Sequence, residues 1–332
     1  MVNKQLGFSL WLDFIERDFL QTTFKRLIDQ GVINGATSNP AIFASSIATS
    51  SAYSEQLHAL KNHEPKAKYE ALAMTDIKLA AEALKPLYDA GEDGFVSIEV
   101  DPLLCDDTLG TIQEGKRLYE AIGMENVMIK VPATEAGYEA MKQLMQEGIH
   151  VNATLIFSPE QAQKSLEAMQ EGLSLWRKAG GQKDVQGVLS VFVSRFDRML
   201  DKELASKGVQ PGRLGIINAA KIYNMVEASG EAAIRTLFAS TGVKGDAYPA
   251  DYYIKELMAP HSVNTAPLGT IEAFIESPSH QPKLPIDEAE IASFFGAVQE
   301  AGIDMEQVYT KLLDDGLKAF KEAFVKLLTD LE

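Results

Sequence analysis

Short apolar runs alternate along the chain with stretches of helical period. The runs are Phe8–Asp13, Gly35–Ser38, Phe95–Asp101, Val127–Val131, His150–Phe157, Gly187–Val193, Arg235–Ser240 and Ser262–Ala266. Several are apolar at nearly every position, the pattern of strands buried on both faces. Between them the apolar residues recur at three- and four-residue steps. Ser158-Pro159-Glu160-Gln161 reads as a helix start. Serine is the N-cap, proline takes the first helical position, and glutamine sits where it closes a capping box. Leu166, Met169, Leu173 and Trp176 then fall on one helix face. Val308, Leu312, Leu317, Phe320, Phe324 and Leu328 do the same in a C-terminal helix expected around 304–331, closing one side of the fold.

Strands that alternate with helices predict a parallel sheet with crossover connections. Eight of them predict an α/β fold, a (β/α)8 TIM barrel with additional helices, which normally takes about 250 residues. The chain has 332 residues, and no linker, charge block or short repeat divides it, so one domain over 1–332 is expected. The competing arrangement is an open doubly wound sheet. It loses ground because no G-x-G-x-x-G follows a strand and no G-x-x-x-x-G-K-[ST] occurs.

Composition narrows the partners. Lys plus Arg is 31 and Asp plus Glu is 47, a net charge of −16. That disfavours a nucleic-acid binder, whose surface must attract phosphate backbones. It leaves room for a small anionic substrate held by a few local cations. The single cysteine, Cys105, cannot form an intrachain disulfide, which fits a reducing compartment. No stretch approaches the roughly 18 apolar residues of a membrane span. Asp13, Glu16, Arg17 and Asp18 break up any apolar signal run near the N-terminus. A soluble cytoplasmic protein is expected, without nucleic-acid or membrane partners. Monomer and homodimer both remain open.

In a barrel, chemistry sits at the C-terminal strand ends. Lys130 lies within the apolar run Val127-Met128-Ile129-Lys130-Val131. A buried ammonium is costly unless paired, so it is either an ion-pair partner or an amine nucleophile able to form a Schiff base. In Ser97-Ile98-Glu99-Val100-Asp101, alternation puts Ser97, Glu99 and Asp101 on one face. Glu99 is there a general acid/base or the partner of the lysine. Asn152 and Thr154 share a face and suit sugar hydroxyls or a water; a buried polar network is the plainer reading. Asn39-Pro40 ends a strand as either a ligand-facing loop or a helix cap. Asp13 ends another apolar run. Arg195, after Ser190-Val191-Phe192-Val193-Ser194, offers a planar fork for phosphate, and Ser240 and Lys244 offer a hydroxyl and a cation. A surface salt bridge is the bland alternative for each cation. The histidines His58, His63, His150, His261 and His280 match no metal spacing, and no G-x-S-x-G is present. The chain points away from zinc and serine-hydrolase chemistry and toward a cofactor-free lysine.

Taken together, Gly35-Ala36-Thr37-Ser38-Asn39-Pro40, Ser97 to Asp101, Ile129-Lys130-Val131-Pro132-Ala133-Thr134, Asn152 to Ser158 and Ser190 to Arg195 resemble the transaldolases, class I aldolases of the pentose phosphate pathway. The pieces occur in the family's order and span most of the chain. The resemblance implies transfer of a dihydroxyacetone unit from sedoheptulose 7-phosphate to glyceraldehyde 3-phosphate, reversibly, giving erythrose 4-phosphate and fructose 6-phosphate. It implies no metal and no organic cofactor. Lys130 matches the Schiff-base lysine, and Asp13 the carboxylate that takes the C4 hydroxyl proton. Glu99 and Thr154 match the pair that holds a catalytic water. Asn39, Asn152 and Ser190 match ligands of the dihydroxyacetone hydroxyls. Arg195 and Ser240 match phosphate ligands. The best-studied branch carries a second arginine just after the matching serine. Here Thr241-Gly242-Val243 follows, and Lys244 is expected to substitute as a point charge.

A related enzyme, fructose-6-phosphate aldolase, shares the lysine but releases dihydroxyacetone. It has Gln and Tyr where this chain has Glu99 and Phe192. Phe192 brings no hydroxyl near the enamine, which favours transfer over release. A catalytically silent binding barrel is the alternative of a different kind; such a relative is expected to have lost Lys130, Asp13 or Glu99, and all three are present.

Overall fold

A computed structural model describes residues 4–183, 185–278 and 280–332. Eight parallel strands close into a barrel in sequence order. They are β1 (Phe8–Asp13), β2 (Gly35–Thr37), β3 (Phe95–Glu99), β4 (Val127–Pro132), β5 (His150–Ile156), β6 (Gly187–Phe192), β7 (Ile234–Ala239) and β8 (Ser262–Ala266). The helices α1 (Arg17–Gln21), α2 (Thr23–Asp29), α3 (Pro40–Thr49), α4 (Ser54–Ala59), α5 (Pro65–Asp89), α6 (Thr108–Ile122) and α7 (Glu135–Gln146) belong to the first half. The second half carries α8 (Pro159–Lys178), α9 (Ser194–Ser206), α10 (Leu214–Ala228), α11 (Tyr252–Glu256), α12 (Leu268–Glu276), α13 (Glu288–Glu300) and α14 (Met305–Asp330). The expected barrel is therefore present, and the open sheet is excluded.

Alternation along the strands sorts the core into two layers. Leu10, Leu12, Ile98, Ile129, Val151 and Val191 join the large cluster between sheet and helices. Trp11, Phe95, Met128, Val188, Leu237 and Val263 form a separate cluster inside the barrel. Trp11 fills much of that interior because it faces Gly35. A Cβ at Gly35 would lie 2.4 Å from the indole nitrogen, so no larger residue fits opposite. Below this layer Asp93 accepts a hydrogen bond from Trp11 Nε1 (2.9 Å) and pairs with Arg235 of β7 (2.7 Å). Filling by side chains makes the barrel a packed core rather than a pore.

The strand ends differ from the sequence expectation by one or two residues, each for a local reason. β3 stops at Glu99, since Asp101 turns to cap a short 3-10 helix at Pro102–Leu104, accepting from Leu103 N at 2.9 Å. Asp101 also pairs with Lys66 at 2.6 Å, so it does not share the face of Ser97 and Glu99 as alternation suggested. β6 stops at Phe192 because Val193 already has helical backbone angles. β7 stops before Ser240, whose φ is +55°. The start of α8 matches its sequence signature: Ser158 and Gln161 form the capping box with Pro159 in the first turn.

Candidate active site

The C-terminal strand ends converge on a cavity of about 140 Å³ lined by Asp13, Asn39, Lys130, Thr154, Arg195 and Phe320 among others. That is well below the ~300–1,000 Å³ of pockets for drug-sized ligands. Wider clefts lie at the N-terminal end of the barrel and between the starts of α8 and α14. Neither brings a buried lysine together with buried carboxylates.

Lys130 reaches the cavity from β4. It is paired with Glu99 in register across the β3–β4 seam, and its Nζ lies 3.3 Å from Glu99 Oε2. The contact is an ion pair without hydrogen-bond alignment; the hydrogen bond from Nζ goes to the Ser38 carbonyl at 3.1 Å. Both residues are about 5% exposed, which makes their mutual charge interaction strong. Burial pushes the Glu99 carboxyl up to about 6, against the opposing pull of Lys130, with the negative charge of Asp13 adding to the rise. Burial likewise raises Asp13, opposed by the Lys130 charge and by a hydrogen bond from Thr37. Lysine and both carboxylates thus form one coupled group.

Hydroxyls and amides hold this group in place. Thr37 Oγ1 donates to Asp13 Oδ1 at 2.7 Å and shares a 2.6 Å contact with Thr265 Oγ1 on β8. Asn152 is fully buried; its Nδ2 donates to Ser97 Oγ (3.0 Å) and its Oδ1 accepts from Ser190 Oγ (2.7 Å). Ser190 lines the cavity; Asn152 and Glu99 lie buried behind it. Thr154 Oγ1 and Glu99 Oε2 are buried and make no hydrogen bond within the protein. Asn39 is the helix cap that one of its sequence readings expected, and it also borders the cavity. Its Oδ1 caps α3, accepting from Ile42 N at 3.1 Å.

The cationic end of the cavity is Arg195, at the start of α9. Its guanidinium lies 5.1 Å from the Phe192 ring and 6.0 Å from Phe157. Burial and the like charge of Arg198 lower its pKa, and Asp315 opposes this. Ser240 lines the cavity nearby and its Oγ is 3.1 Å from Ser194 Oγ. Lys244 is exposed on the following loop and is not part of the lining. The lining also includes Thr265, Ala239 and Phe320, which sequence reasoning did not place there. Thr265 carries a signal in hindsight, as a hydroxyl near the end of an apolar run. Phe320 carries only the signal of helix amphipathicity.

A family model described as transaldolase/fructose-6-phosphate aldolase matches residues 10–331. A curated protein named transaldolase from Campylobacter jejuni (strain RM1221) is 49% identical over 331 residues, 98% of this chain and 99% of that one. A transaldolase from Helicobacter pylori (strain P12) is 43% identical over 322 residues, 97% of this chain and 98% of that one. With a closed barrel and a buried lysine among carboxylates at its C-terminal face, the chain belongs to the transaldolase/fructose-6-phosphate aldolase family.

Proposed function

We propose that this protein works as a transaldolase of the pentose phosphate pathway through a Schiff base on Lys130. One observation carries the reading: the Lys130 amine lines the cavity, held between Glu99 and the charge of Asp13. The amine adds to the C2 carbonyl of the donor ketose phosphate, and loss of water leaves an iminium. Glu99 and Thr154 handle that water and its protons; each presents a buried oxygen that makes no hydrogen bond inside the protein. Asp13 takes the C4 hydroxyl proton as the C3–C4 bond breaks. The bonding electrons pass into the iminium, which becomes the enamine, and the first aldehyde leaves. The enamine carbon then attacks the acceptor aldehyde, and the same groups run in reverse.

Asn39 and Ser190 are assigned to the hydroxyls of the three-carbon unit, and Asn152, expected from sequence to join them, is assigned to orienting the Ser190 hydroxyl from behind. Arg195 and Ser240 are assigned to the phosphate, with a charge-assisted fork from the arginine. Phe192 gives no hydroxyl beside the enamine, which supports transfer over release of dihydroxyacetone. Lys244 is not needed for this assignment. No helix among the described residues is long and apolar enough to cross a membrane, and a cytoplasmic setting suits sugar-phosphate chemistry.

The test is borohydride reduction in the presence of fructose 6-phosphate, followed by intact mass and peptide mapping. A dihydroxyacetone-sized adduct on Lys130 is expected, and none in Lys130→Met. A folded protein that gives no adduct with either fructose 6-phosphate or sedoheptulose 7-phosphate would sink the assignment.

A further inference from the structure

The cavity has an apolar wall from outside the barrel. Phe320 of α14 lines it, half-buried, and Lys130 Nζ lies 5.7 Å from the centre of its ring. Phe192 supplies another apolar surface, from the end of β6. The reacting nitrogen therefore has an aromatic ring close by on the helix that crosses the barrel mouth.

That helix is fixed rather than loosely draped. Tyr309 near its start donates to Asn218 Oδ1 at 2.9 Å. Beyond its end, Lys68 donates to the Leu331 carbonyl at 2.7 Å. Phe324, one turn after Phe320, is buried edge-to-face on Tyr69 with centroids 5.5 Å apart. One turn before Phe320, Gly316 brings the backbone down onto the barrel. A Cβ there would lie 3.0 Å from the Leu155 side chain and 3.3 Å from Arg195 Nη1. Gly316 and the two anchors thus set the height at which Phe320 sits.

We infer that Phe320 shields the enamine on Lys130 from water and so sets the partition between transfer and release of the three-carbon unit. The inference rests on the Schiff-base reading above and assigns a determinant of its outcome. In release, the enamine carbon takes a proton to give the iminium and water adds at C2. The C–N bond then breaks, returning the lysine amine and free dihydroxyacetone. In transfer, the enamine carbon forms a C–C bond with an aldehyde instead, and water then adds at C2 of the new iminium to free the product ketose phosphate and the lysine amine. Both routes end in that hydrolysis; only release first needs a proton delivered to the enamine carbon, so an apolar ring that keeps water, as a proton source, away from the enamine slows release selectively. Phe320 stands beside the reacting nitrogen, 5.7 Å from ring centre to Nζ, and neither donates nor accepts a proton; its role is to exclude.

The experiment measures two rates on the full-length protein. One is dihydroxyacetone release from fructose 6-phosphate alone; the other is transfer with erythrose 4-phosphate added. Phe320→Ala is expected to raise the ratio of release to transfer several-fold, while borohydride still traps the adduct on Lys130. Phe320→Leu keeps an apolar wall and is expected to hold the ratio close to that of the parent. An unchanged ratio in Phe320→Ala with the adduct still formed would overturn the shielding role. So would a parallel fall of both rates, which marks a merely structural residue. Absence of the adduct in the parent protein would instead strike the Schiff-base reading itself, and the inference with it.

Discussion

Lys130 and Glu99 are register partners on adjacent strands, and their charged groups meet at 3.3 Å at the wall of the cavity, which Lys130 lines with Glu99 buried behind it. Because both are buried, neither charge is screened by water, and the carboxylate is held at the edge of protonation rather than well below it.

This pair predicts an acid limb in the rate profile. The Glu99 carboxyl is raised to about 6, so it loses its charge as pH falls through that value. kcat/KM is expected to drop on the acid side with an apparent midpoint near 6 that belongs to the coupled group. Glu99→Gln should remove the limb and slow the reaction by about 10²–10⁴-fold, the usual contribution of a general acid–base. An intact limb in Glu99→Gln would assign it elsewhere. Stability moves with the opposite sign. The folded state holds this proton more tightly than the unfolded chain. The group's contribution to stability therefore falls as pH rises from about 4.5 to about 6, then levels off.

Arg195 predicts a selective loss. Removing one charge-assisted fork costs about 1.5–3 kcal/mol, which is roughly 10- to 100-fold in binding. Arg195→Ala should raise KM for fructose 6-phosphate by that order and leave turnover of unphosphorylated fructose little changed. Equal losses with both donors would remove the phosphate role. Lys244→Ala should leave both nearly unchanged, since that side chain stands exposed outside the cavity lining.

His150 governs acid stability from below the site. Its Nδ1 accepts from Gln186 N at 2.8 Å and its Nε2 lies 3.2 Å from the Tyr88 hydroxyl. Burial, with the nearby charge of Lys183, lowers its pKa to about 4 from 6.5. The unfolded chain therefore takes up the proton first, and stability is lost as pH falls from about 6.5 to about 4. A shift of this size corresponds to about 3 kcal/mol across the full window. Thermal melts at pH 7 and pH 5 should show a smaller drop for His150→Gln than for the parent; an equal drop would place the acid sensitivity in other groups.

The barrel was legible because its strands are buried on both faces and stand out as apolar runs, and Lys130 was legible as the cation inside one of them. Asn39 was ambiguous in sequence because a residue that caps α3 also borders the cavity. Strand ends were misread where a polar residue turned back to the chain, as Asp101 does toward Leu103 and Lys66. Phe320 was read as one face of a helix, and correctly so. Where that helix lies is set by contacts far apart in sequence, such as Lys68 with Leu331. No periodicity encodes such a contact.

The filling of the barrel by Trp11 against Gly35, sealed beneath by Asp93 and Arg235, has a kinetic consequence. With the axis filled there, Lys130 is reached from the C-terminal face of the barrel. The first aldehyde has to depart before the second can arrive at the waiting carbon. Double-reciprocal plots against the two substrates should therefore be parallel, and each aldehyde should compete with the other for the loaded enzyme.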